Sequence, residues 1–253
     1  MLQQERHNKI LDLLSQLGRV YAAELSQKLH VSEDTIRRDL KQLDDAKQLR
    51  RVHGGALPLQ QEFQEYRSRQ DEIDPLKKRV ALAAIKFIKP QQTILIDSGS
   101  TCLQLAMNLP THFKFTVVTP SPLVAVKLMH HNNIELILLG GKISKPTVMV
   151  LGATTNAMLR RIHFDACFLG VHALHPSQGL SINELDEAET LATMIDQSQQ
   201  VILLGSSLKL GKMGTYKICD CNKLDLLVTD SDSDTKVLSL LQDKGLTIEI
   251  CAD

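Results

Sequence analysis

The chain has 253 residues, a formal net charge of zero at neutral pH and 43% hydrophobic residues. This length suits a small domain of about 55 residues followed by a larger one of about 175 to 180. A zero net charge argues against a protein that coats nucleic acid without selectivity. No stretch approaches the roughly 18 apolar residues of a membrane span, and the first residues lack the pattern of a signal peptide.

The five cysteines indicate a reducing environment. Only Cys219 and Cys221 lie close together in the sequence. A disulfide between two residues this close along one strand does not fit the usual geometry of the bond. A metal site at these thiols would need two further ligands at suitable spacing, and the sequence offers none. We therefore expect reduced thiols in a cytoplasmic protein that binds no metal and no cofactor.

The first 45 residues predict three helices in succession. Apolar residues repeat at helical spacing over 3–17, and a second helix is expected over 22–29. Ser32 has the residue type and the position of an N-cap for a third helix. The first turn of that helix carries two acidic residues, which the helix dipole favours. The buried side of this helix consists of the apolar residues Ile36, Leu40 and Leu43.

The outer face of the third helix is polar and basic. Thr35 and Arg38 point outward, and Arg37 and Lys41 flank them. A capped helix with such a face fits into the major groove of DNA. Asp39 is predicted to be a structural partner of a neighbouring arginine, because its carboxylate would repel phosphate.

The segment after this helix predicts a β-hairpin. Leu49 and Val52 can anchor two short strands, and Gly54-Gly55 permits a tight turn between them. Such a hairpin resembles the wing of a winged helix-turn-helix domain. This hypothesis places the small N-terminal domain at residues 1–57.

Basic residues of the hairpin extend the predicted DNA-binding surface. Arg50, Arg51 and His53 would lie against the DNA backbone or the minor groove, although they could also form only a solvated face. Residues 1–56 hold ten Lys or Arg and eight Asp or Glu. This net charge of +2 favours a few directed contacts that are multiplied in a homodimer or homotetramer. The expected DNA-binding residues are Ser32, Thr35, Arg37, Arg38, Lys41, Arg51 and His53.

The rest of the chain predicts a linker and an α/β domain. Residues 58–75 are polar and are bounded by two prolines, and the larger domain is expected at 76–253. Its strands are almost wholly apolar, which is typical of a parallel sheet covered on both faces. Helices alternate with them, so we predict an α/β doubly wound fold. The predicted helices are 76–87, 101–109, 122–131, 154–160, 186–198 and 234–243, and the strands are 93–97, 115–119, 134–139, 166–170, 200–204, 224–229 and 247–250.

A polar loop follows the first strand of this predicted sheet. Ligands of doubly wound sheets bind beyond the C-terminal strand ends, and this strand ends in Asp-Ser-Gly-Ser-Thr at 97–101. Gly99 lets the backbone approach a ligand, while Ser100, Thr101 and the first N–H groups of the next helix suit a phosphate. An ordinary turn and helix cap would use the same residue types. Other polar strand ends at the same edge favour a pocket for a small phosphorylated molecule: 119–121, 140–142, 170–172 and 209–211.

These motifs resemble one family of bacterial regulators over nearly the whole chain. The run Thr-Ile-Arg-Arg-Asp-Leu at 35–40 is similar to the helix-turn-helix of the DeoR/GlpR family. The motifs at 97–101, 140–141 and 209–211 resemble its effector domain. The resemblance implies a domain similar in fold to sugar-phosphate isomerases. Such a domain binds a phosphorylated sugar intermediate and usually releases a repressor from its operator.

The resemblance also implies an effector site, and this chain departs from the family pattern there. His172 and Ser206 stand where the family has aspartates, Leu191-Ala192 replaces a Lys-Arg pair, and Pro120 replaces an asparagine. His172 is either a structural imidazole or a substitute ligand for a hydroxyl or phosphate. The implied effector-binding residues are Asp97, Gly99, Ser100, Thr101, Gly141, His172, Glu187 and Lys209.

Three functions fit these residues. The first, which we expect, is a transcriptional regulator without enzymatic activity that binds double-stranded operator DNA and a sugar phosphate or related anion. The second is an isomerase-like enzyme fused to a DNA-binding domain, with Glu187 and Lys209 as remnants of its base and donor. Proton abstraction needs a placed carboxylate, and the acids missing at 172 and 206 argue against it. The third is a constitutive DNA-binding regulator whose α/β domain only oligomerises.

Overall fold

The computed structural model describes residues 3–17, 20–46, 48–52, 54–58 and 75–251. Contacts divide the chain into two compact units, Met1–Glu65 and Tyr66–Asp253. The predicted wing residue His53 lies outside the described residues, as does the predicted linker apart from Pro58 and Pro75 at its ends.

Three helices and a small antiparallel sheet make up the N-terminal unit. The helices are α1 (Gln3–Leu17), α2 (Ala22–Leu29) and α3 (Glu33–Asp45), as the apolar spacing predicts. The strands are β1 (Val20–Tyr21), β2 (Leu49–Val52) and β3 (Gly55–Pro58), in the sheet order β1-β3-β2. Every one of these elements contributes to a single core, which consists of Ile10, Leu14, Val20, Ala22, Leu25, Ile36, Leu40, Leu43, Leu49 and Ala56.

The two glycines of the hairpin act in different ways. Gly54 has a φ of +80°, a conformation that favours glycine. At Gly55 a Cβ atom would lie 2.1 Å from the carbonyl oxygen of Val20, so the absence of a side chain lets β3 pair with β1. The sequence pattern misses β1, because two residues show no period. Leu49 is fully buried as predicted, but Val52 is 39% exposed, so the prediction that Val52 anchors the hairpin is wrong.

The C-terminal unit contains twelve described strands and six described α-helices. The helices are α4 (Pro75–Ala84), α5 (Ser100–Met107), α6 (Pro122–Leu128), α7 (Ala153–Leu159), α8 (Leu185–Asp196) and α9 (Thr235–Gln242). The strands are β4 (Thr93–Ile96), β5 (Phe115–Thr119), β6 (Ile134–Leu138), β7 (Lys142–Ser144), β8 (Met149–Leu151), β9 (Ala166–Gly170), β10 (Ala173–His175), β11 (Gly179–Ile182), β12 (Val201–Leu204), β13 (Tyr216–Cys219), β14 (Leu226–Thr229) and β15 (Thr247–Ile250).

Seven of these strands form one parallel sheet with helices on both faces. Its order is β15-β14-β12-β9-β4-β5-β6. Side chains alternate between two cores: Ile94 and Ile96 of β4 pack with α4, α5 and α6, whereas Leu95 packs with α7, α8 and α9. The predicted doubly wound α/β fold is confirmed.

Several boundaries and short strands differ from the sequence prediction. The helix predicted over 122–131 ends at Leu128, and the helix predicted over 76–87 continues beyond Ala84 only as a 3-10 turn, Ile85–Phe87. Strands β7 and β8 form a separate hairpin, and β10, β11 and β13 form a separate sheet. Each of these five strands has three or four residues, too few to show a period of two.

All five cysteines are buried and none forms a disulfide. Burial raises the pKa of Cys102 and Cys167 well above the usual thiol range and that of Cys219 to about 12. These thiols are therefore protonated at neutral pH. In the described residues, no three His, Cys, Asp or Glu side chains are grouped so that they could hold a metal ion. Among the described helices, none combines the length and the apolar character that a membrane crossing requires.

Candidate functional site

A hydroxyl cap begins α3. The side chain of Ser32 accepts a hydrogen bond from the backbone N–H of Thr35 at 3.2 Å, and the two hydroxyl oxygens lie 2.9 Å apart. The predicted N-cap is confirmed. The Ser32 side chain satisfies an N–H that has no acceptor within the helix, and it thereby stabilises the N-terminus of α3.

Replacing Ser32 by alanine is expected to destabilise α3 locally by about 1 kcal/mol, because one N–H of the first turn loses its acceptor. Hydrogen exchange of the α3 amides in the full chain measures this loss. A Ser32→Asn variant, which keeps an acceptor at the cap, is the matched control and should exchange like the wild type. Equal exchange in the alanine variant would contradict the role of the cap.

The predicted DNA-contact side chains of α3 form an accessible basic face. Arg37, Arg38 and Lys41 are all exposed. Arg37 Nη2 lies 3.1 Å from Glu33 Oε2 one turn earlier, with 59% and 47% of the side chains exposed. An exposed pair of this kind contributes about 0 to 1 kcal/mol.

The inner side of α3 carries a buried ion pair. Asp39 is 2% exposed, and Arg6 of α1 binds both of its carboxylate oxygens through Nε and Nη2, the latter at 2.9 Å. His7 Nε2 lies 3.2 Å from Asp39 Oδ1. Hydrogen bonding to Asp39 raises the pKa of Arg6. The predicted structural role of Asp39 is confirmed, with its arginine on α1.

The sequence prediction did not identify which arginine pairs with Asp39, and it assigned no role to His7. A usable signal was present, because Arg6 precedes Ile10 by four residues and Leu14 by eight, and so lies on the apolar stripe of α1. A charged residue on such a stripe needs a buried counter-charge. Asp39, on the inward face of α3, supplies this counter-charge.

The wing is tied to the end of α3. The backbone N–H of Arg51 donates to Asp44 Oδ1 at 3.2 Å, and the Arg51 side chain is exposed. This hydrogen bond connects strand β2 of the hairpin to the C-terminal turn of α3. The bond uses only the backbone of Arg51, so its side chain stays exposed.

The strand order of the large sheet reverses between β4 and β9. Strands β4, β5 and β6 follow one another towards one edge, while β9, β12, β14 and β15 follow towards the other. Such a switch point leaves a crevice at the C-terminal strand ends, where doubly wound proteins bind their ligands. The loop at 97–101 leaves β4 here, and the segment beginning at Gly170 leaves β9.

Asp97 joins the two sides of this crevice. Its Oδ2 accepts from the N–H of Gly170 at 3.2 Å, and its Oδ1 accepts from the N–H of Ser98 at 2.6 Å. Burial raises the pKa of Asp97, and the hydrogen bonds from Ser98 and Gly170 oppose that rise. The carboxylate thus fixes the loop, since its oxygens are used within the protein.

Two glycines face each other across the switch point. A Cβ atom at Gly99 would lie 3.6 Å from the Cα atom of Gly170. Gly99 is the N-cap of α5, and Ser100 and Thr101 follow as half-buried residues of its first turn. The site therefore offers hydroxyl groups and helix N-terminal N–H groups beside a surface without side chains, which suits an anion.

The loops that carry His172 and Lys209 also meet. Leu210 pairs with Leu174 as an isolated bridge, and the N–H of Gly211 donates to the carbonyl of Leu174 at 2.8 Å. The 3-10 turn Ser207–Lys209 is therefore anchored along the segment that follows His172. This brings both predicted effector residues to the β9 and β12 side of the switch point.

Asp230, at the end of β14, was not predicted and holds this second loop. It is 1% exposed, and its Oδ2 accepts from the N–H of Ser207 at 2.7 Å. The sequence signal is a carboxylate directly after a strand that is apolar except for its last residue, similar to the pattern that identified Asp97. Asp230 thus positions the turn that bears Lys209.

Two predicted effector residues are not at the surface of the switch point: Gly141 lies at the edge of the sheet, and Glu187 is buried in α8. Gly141 follows the edge strand β6, two strands from β4, and a Cβ atom there would lie 2.1 Å from Thr155 Oγ1. Close packing on α7 accounts for this glycine without any ligand. Glu187 is 4% exposed in the first turn of α8.

Comparison with known families matches both units. Residues 6–62 match the DeoR-like helix-turn-helix domain, and residues 74–231 match the DeoR C terminal sensor domain. The chain therefore belongs to the DeoR family of DNA-binding transcriptional regulators, in which a helix-turn-helix domain precedes a sensor domain.

Individual relatives align over nearly their whole length. The HTH-type transcriptional regulator GolR of Listeria innocua is 32% identical, covering 97% of this chain and 98% of the relative. The glycerol-3-phosphate regulon repressor of Escherichia coli K12 is 29% identical, covering 99% of this chain and 100% of the relative. Among solved structures, ribose 5-phosphate isomerase A from Methanocaldococcus jannaschii has a TM-score of 0.38 at 15% identity, covering 51% of each chain.

Proposed function

We propose that this regulator represses genes of carbohydrate metabolism and that a phosphorylated sugar or a related anionic metabolite releases it from its operator. The observation that carries this proposal is the switch point, where Asp97 bonds the N–H of Gly170 and Gly99 begins α5 beside Ser100 and Thr101. A relative of the same length is a glycerol-3-phosphate regulon repressor, which supports an effector with a phosphate group.

On the DNA side, α3 would enter the major groove and the wing would contact the backbone. Thr35 and Arg38 would read base edges, because both lie on the face opposite the core. Arg37 and Lys41 would hold phosphates, and Arg37 would exchange Glu33 for a phosphate. Ser32 would fix the approach of the helix, with Arg51 and His53 on the wing.

On the effector side, the phosphate would lie at the start of α5. The first N–H groups of α5 and the Ser100 and Thr101 hydroxyls would hold it, with Lys209 as a counter-charge from the neighbouring loop. His172 would stand in for the aspartate with which the family contacts the sugar, and its imidazole would contact a sugar hydroxyl. With His172 and Ser206 in place of two acids, the effector would differ from the usual family sugars.

Replacing Ser100 and Thr101 together by alanine should abolish the ligand's effect on DNA release and leave DNA binding without ligand unchanged. At a ligand concentration 100 times the dissociation constant, the free energy of unfolding of the wild type should rise by about 2.7 kcal/mol. The midpoint of thermal unfolding should then rise by about 5 to 10 °C. The double variant should show no such rise in titrations with a panel of sugar phosphates.

Thr235→Ala is the matched control, since Thr235 begins α9 at another strand end of the same sheet. Its response to ligand should equal that of the wild type. A panel of sugar phosphates and organic acids that stabilises the wild type no more than the double variant would eliminate the proposed effector site. The constitutive regulator would then be the better description.

We also propose that the sensor domain has no isomerase activity. The carboxylates that would complete an acid–base pair are replaced by His172 and Ser206, and Glu187 is buried. Incubation with ribose, glucosamine or tagatose phosphates should give no product above a blank without protein. Conversion that disappears in a Glu187→Gln variant would instead establish an enzyme.

The regulator would act as a homodimer or homotetramer. One recognition helix reads one half-site, and a palindromic operator presents two half-sites about one turn of DNA apart. The small positive charge of a single N-terminal domain also favours several domains on one operator.

A further inference from the structure

A polar contact joins α1 to α3 at the surface of the N-terminal unit. The side-chain amide of Gln3 donates a hydrogen bond from Nε2 to Oε1 of Gln42. Both residues are exposed, and 39 positions of sequence separate them. The contact is therefore tertiary, and the hydrophobic core does not explain why these two glutamines meet.

The buried ion pair between the same two helices sets this contact. Gln3 precedes Arg6 by three residues, and Gln42 follows Asp39 by three residues. Residues three apart lie on the same face of a helix, so the pair of glutamines continues the Arg6–Asp39 contact by one turn towards solvent. Asp39 binds Arg6 through both carboxylate oxygens and is 2% exposed. This pair therefore holds α1 where Gln3 reaches Gln42.

Gln42 shares a face of α3 with the proposed base-reading residues. It follows Arg38 by four residues and Thr35 by seven, which are spacings of one and two helical turns. A rise of about 1.5 Å per residue places it about 6 Å beyond Arg38 along the helix. This distance corresponds to about two base-pair steps of roughly 3.4 Å. With α3 along the major groove, Gln42 would face bases next to those at Arg38.

The bond from Gln3 determines which polar atoms Gln42 turns outward. A glutamine amide carries an acceptor oxygen and an NH₂ group with two donors. Because Oε1 of Gln42 faces Gln3, the NH₂ group of the same amide points away from Gln3. The bidentate contact of glutamine with adenine needs both the oxygen and the NH₂ group. An amide that offers donors alone matches guanine, which presents two acceptors, N7 and O6, in the major groove.

We propose that Gln42 is a further specificity-determining residue that reads guanine about two base pairs from the position of Arg38, and that Gln3 is the positioning residue that orients its amide. The inference rests on the proposed entry of α3 into the major groove. It assigns the first turn of α1 a part in sequence selection, and Gln3 exerts this effect through one hydrogen bond to Gln42.

The test is a selection of binding sites by the full chain from a pool of duplex DNA with a randomised central segment, at fixed salt. The ratio of guanine to cytosine at each selected position is the measured quantity. Gln42→Ala should lower this ratio by a factor of about 5 or more at one position, and the position that responds to Arg38→Ala should keep its preference. Gln48→Ala, the matched control, replaces an exposed glutamine just beyond α3 and should select the same sites as the wild type.

Two substitutions of Gln3 test its role in orienting the amide. Gln3→Lys keeps a donor for Oε1 of Gln42, so the preference for guanine should be retained. Gln3→Glu offers only acceptors at neutral pH, so the amide of Gln42 should turn and present Oε1 to the base. The preference at that position should then change to cytosine, whose N4 amino group is a donor. The added charges should alter the affinity for all sequences alike, and a merely structural role of Gln3 would not change the preferred base.

Three results would overturn the proposal: an unchanged preference in Gln42→Ala, an equal loss on all sequences in Gln42→Ala, or a wild-type preference in Gln3→Glu. Loss of the guanine preference in Gln3→Lys would also contradict it. If Arg38→Ala and Gln42→Ala both left every base preference unchanged, the proposed base reading by α3 would itself fail. If only Gln42→Ala did so, the role of Arg38 would stand and this inference alone would be refuted.

Discussion

Replacing Asp39 by alanine is expected to destabilise the N-terminal unit by about 3 kcal/mol. Asp39 is 2% exposed and binds Arg6 through both carboxylate oxygens. Its removal leaves the guanidinium, 11% exposed, without its counter-charge in the contact between α1 and α3. The exchange of α1 and α3 amides in the full chain should accelerate about 150-fold, because 1.4 kcal/mol corresponds to a factor of ten.

Asp45→Ala is the matched control. Asp45 is exposed in the last turn of α3, and its replacement should change stability by no more than about 0.5 kcal/mol. A double variant, Arg6→Met with Asp39→Leu, should recover much of the lost stability, since well-packed apolar pairs can replace buried ion pairs. If Asp39→Ala exchanged like the wild type, the pair would not be what holds α3 on α1.

Replacing Arg38 by alanine is expected to remove about 1 to 3 kcal/mol of discrimination at one base position, provided that Arg38 pairs with guanine. The loss corresponds to a factor of about 5 to 150 in affinity for the operator. The arginine is exposed on α3 and has the fork of donors that matches guanine. Titration of the operator and of single-base variants, at fixed salt, measures the effect.

Lys41→Ala is the comparison within the same helix. As a phosphate contact it should weaken binding to all sequences alike and reduce the slope of log affinity against log salt by about one. Arg38→Ala should leave binding to random DNA nearly unchanged. An equal loss on operator and random DNA for Arg38→Ala would show that Arg38 contacts phosphate and does not read a base.

The sequence by itself determined the helices of the N-terminal unit and the class of the larger domain. Both depend on local patterns: apolar residues recur at a period of 3.6 in α1, and the Ser32 cap needs only the residue three positions ahead. Strand β12 is apolar throughout, and β4 and β14 each contain a single threonine. This pattern already implies a sheet covered on both faces. Local chemistry thus sufficed wherever an element is long or its partner is close in sequence.

The candidate effector site was predicted in part. The loop at 97–101 stood out because an aspartate, a glycine and two hydroxyl residues follow a strand. Its position at the switch point depends on β9 being placed beside β4, and strand order is set by packing between distant segments. The role of Asp230 was missed because it also depends on strand order: its hydrogen bond to Ser207 joins the segments that follow β14 and β12.

Only the tertiary structure decided which buried charges and glycines serve the fold. Asp39 meets Arg6 across 33 positions of sequence, and Gly141 meets Thr155 on α7. Three-residue strands such as β10 likewise form only where a partner strand supplies the hydrogen bonds that their own pattern does not announce. A sequence shows what a residue can do within one turn or one strand, whereas long-range contacts arise when the whole chain closes its cores.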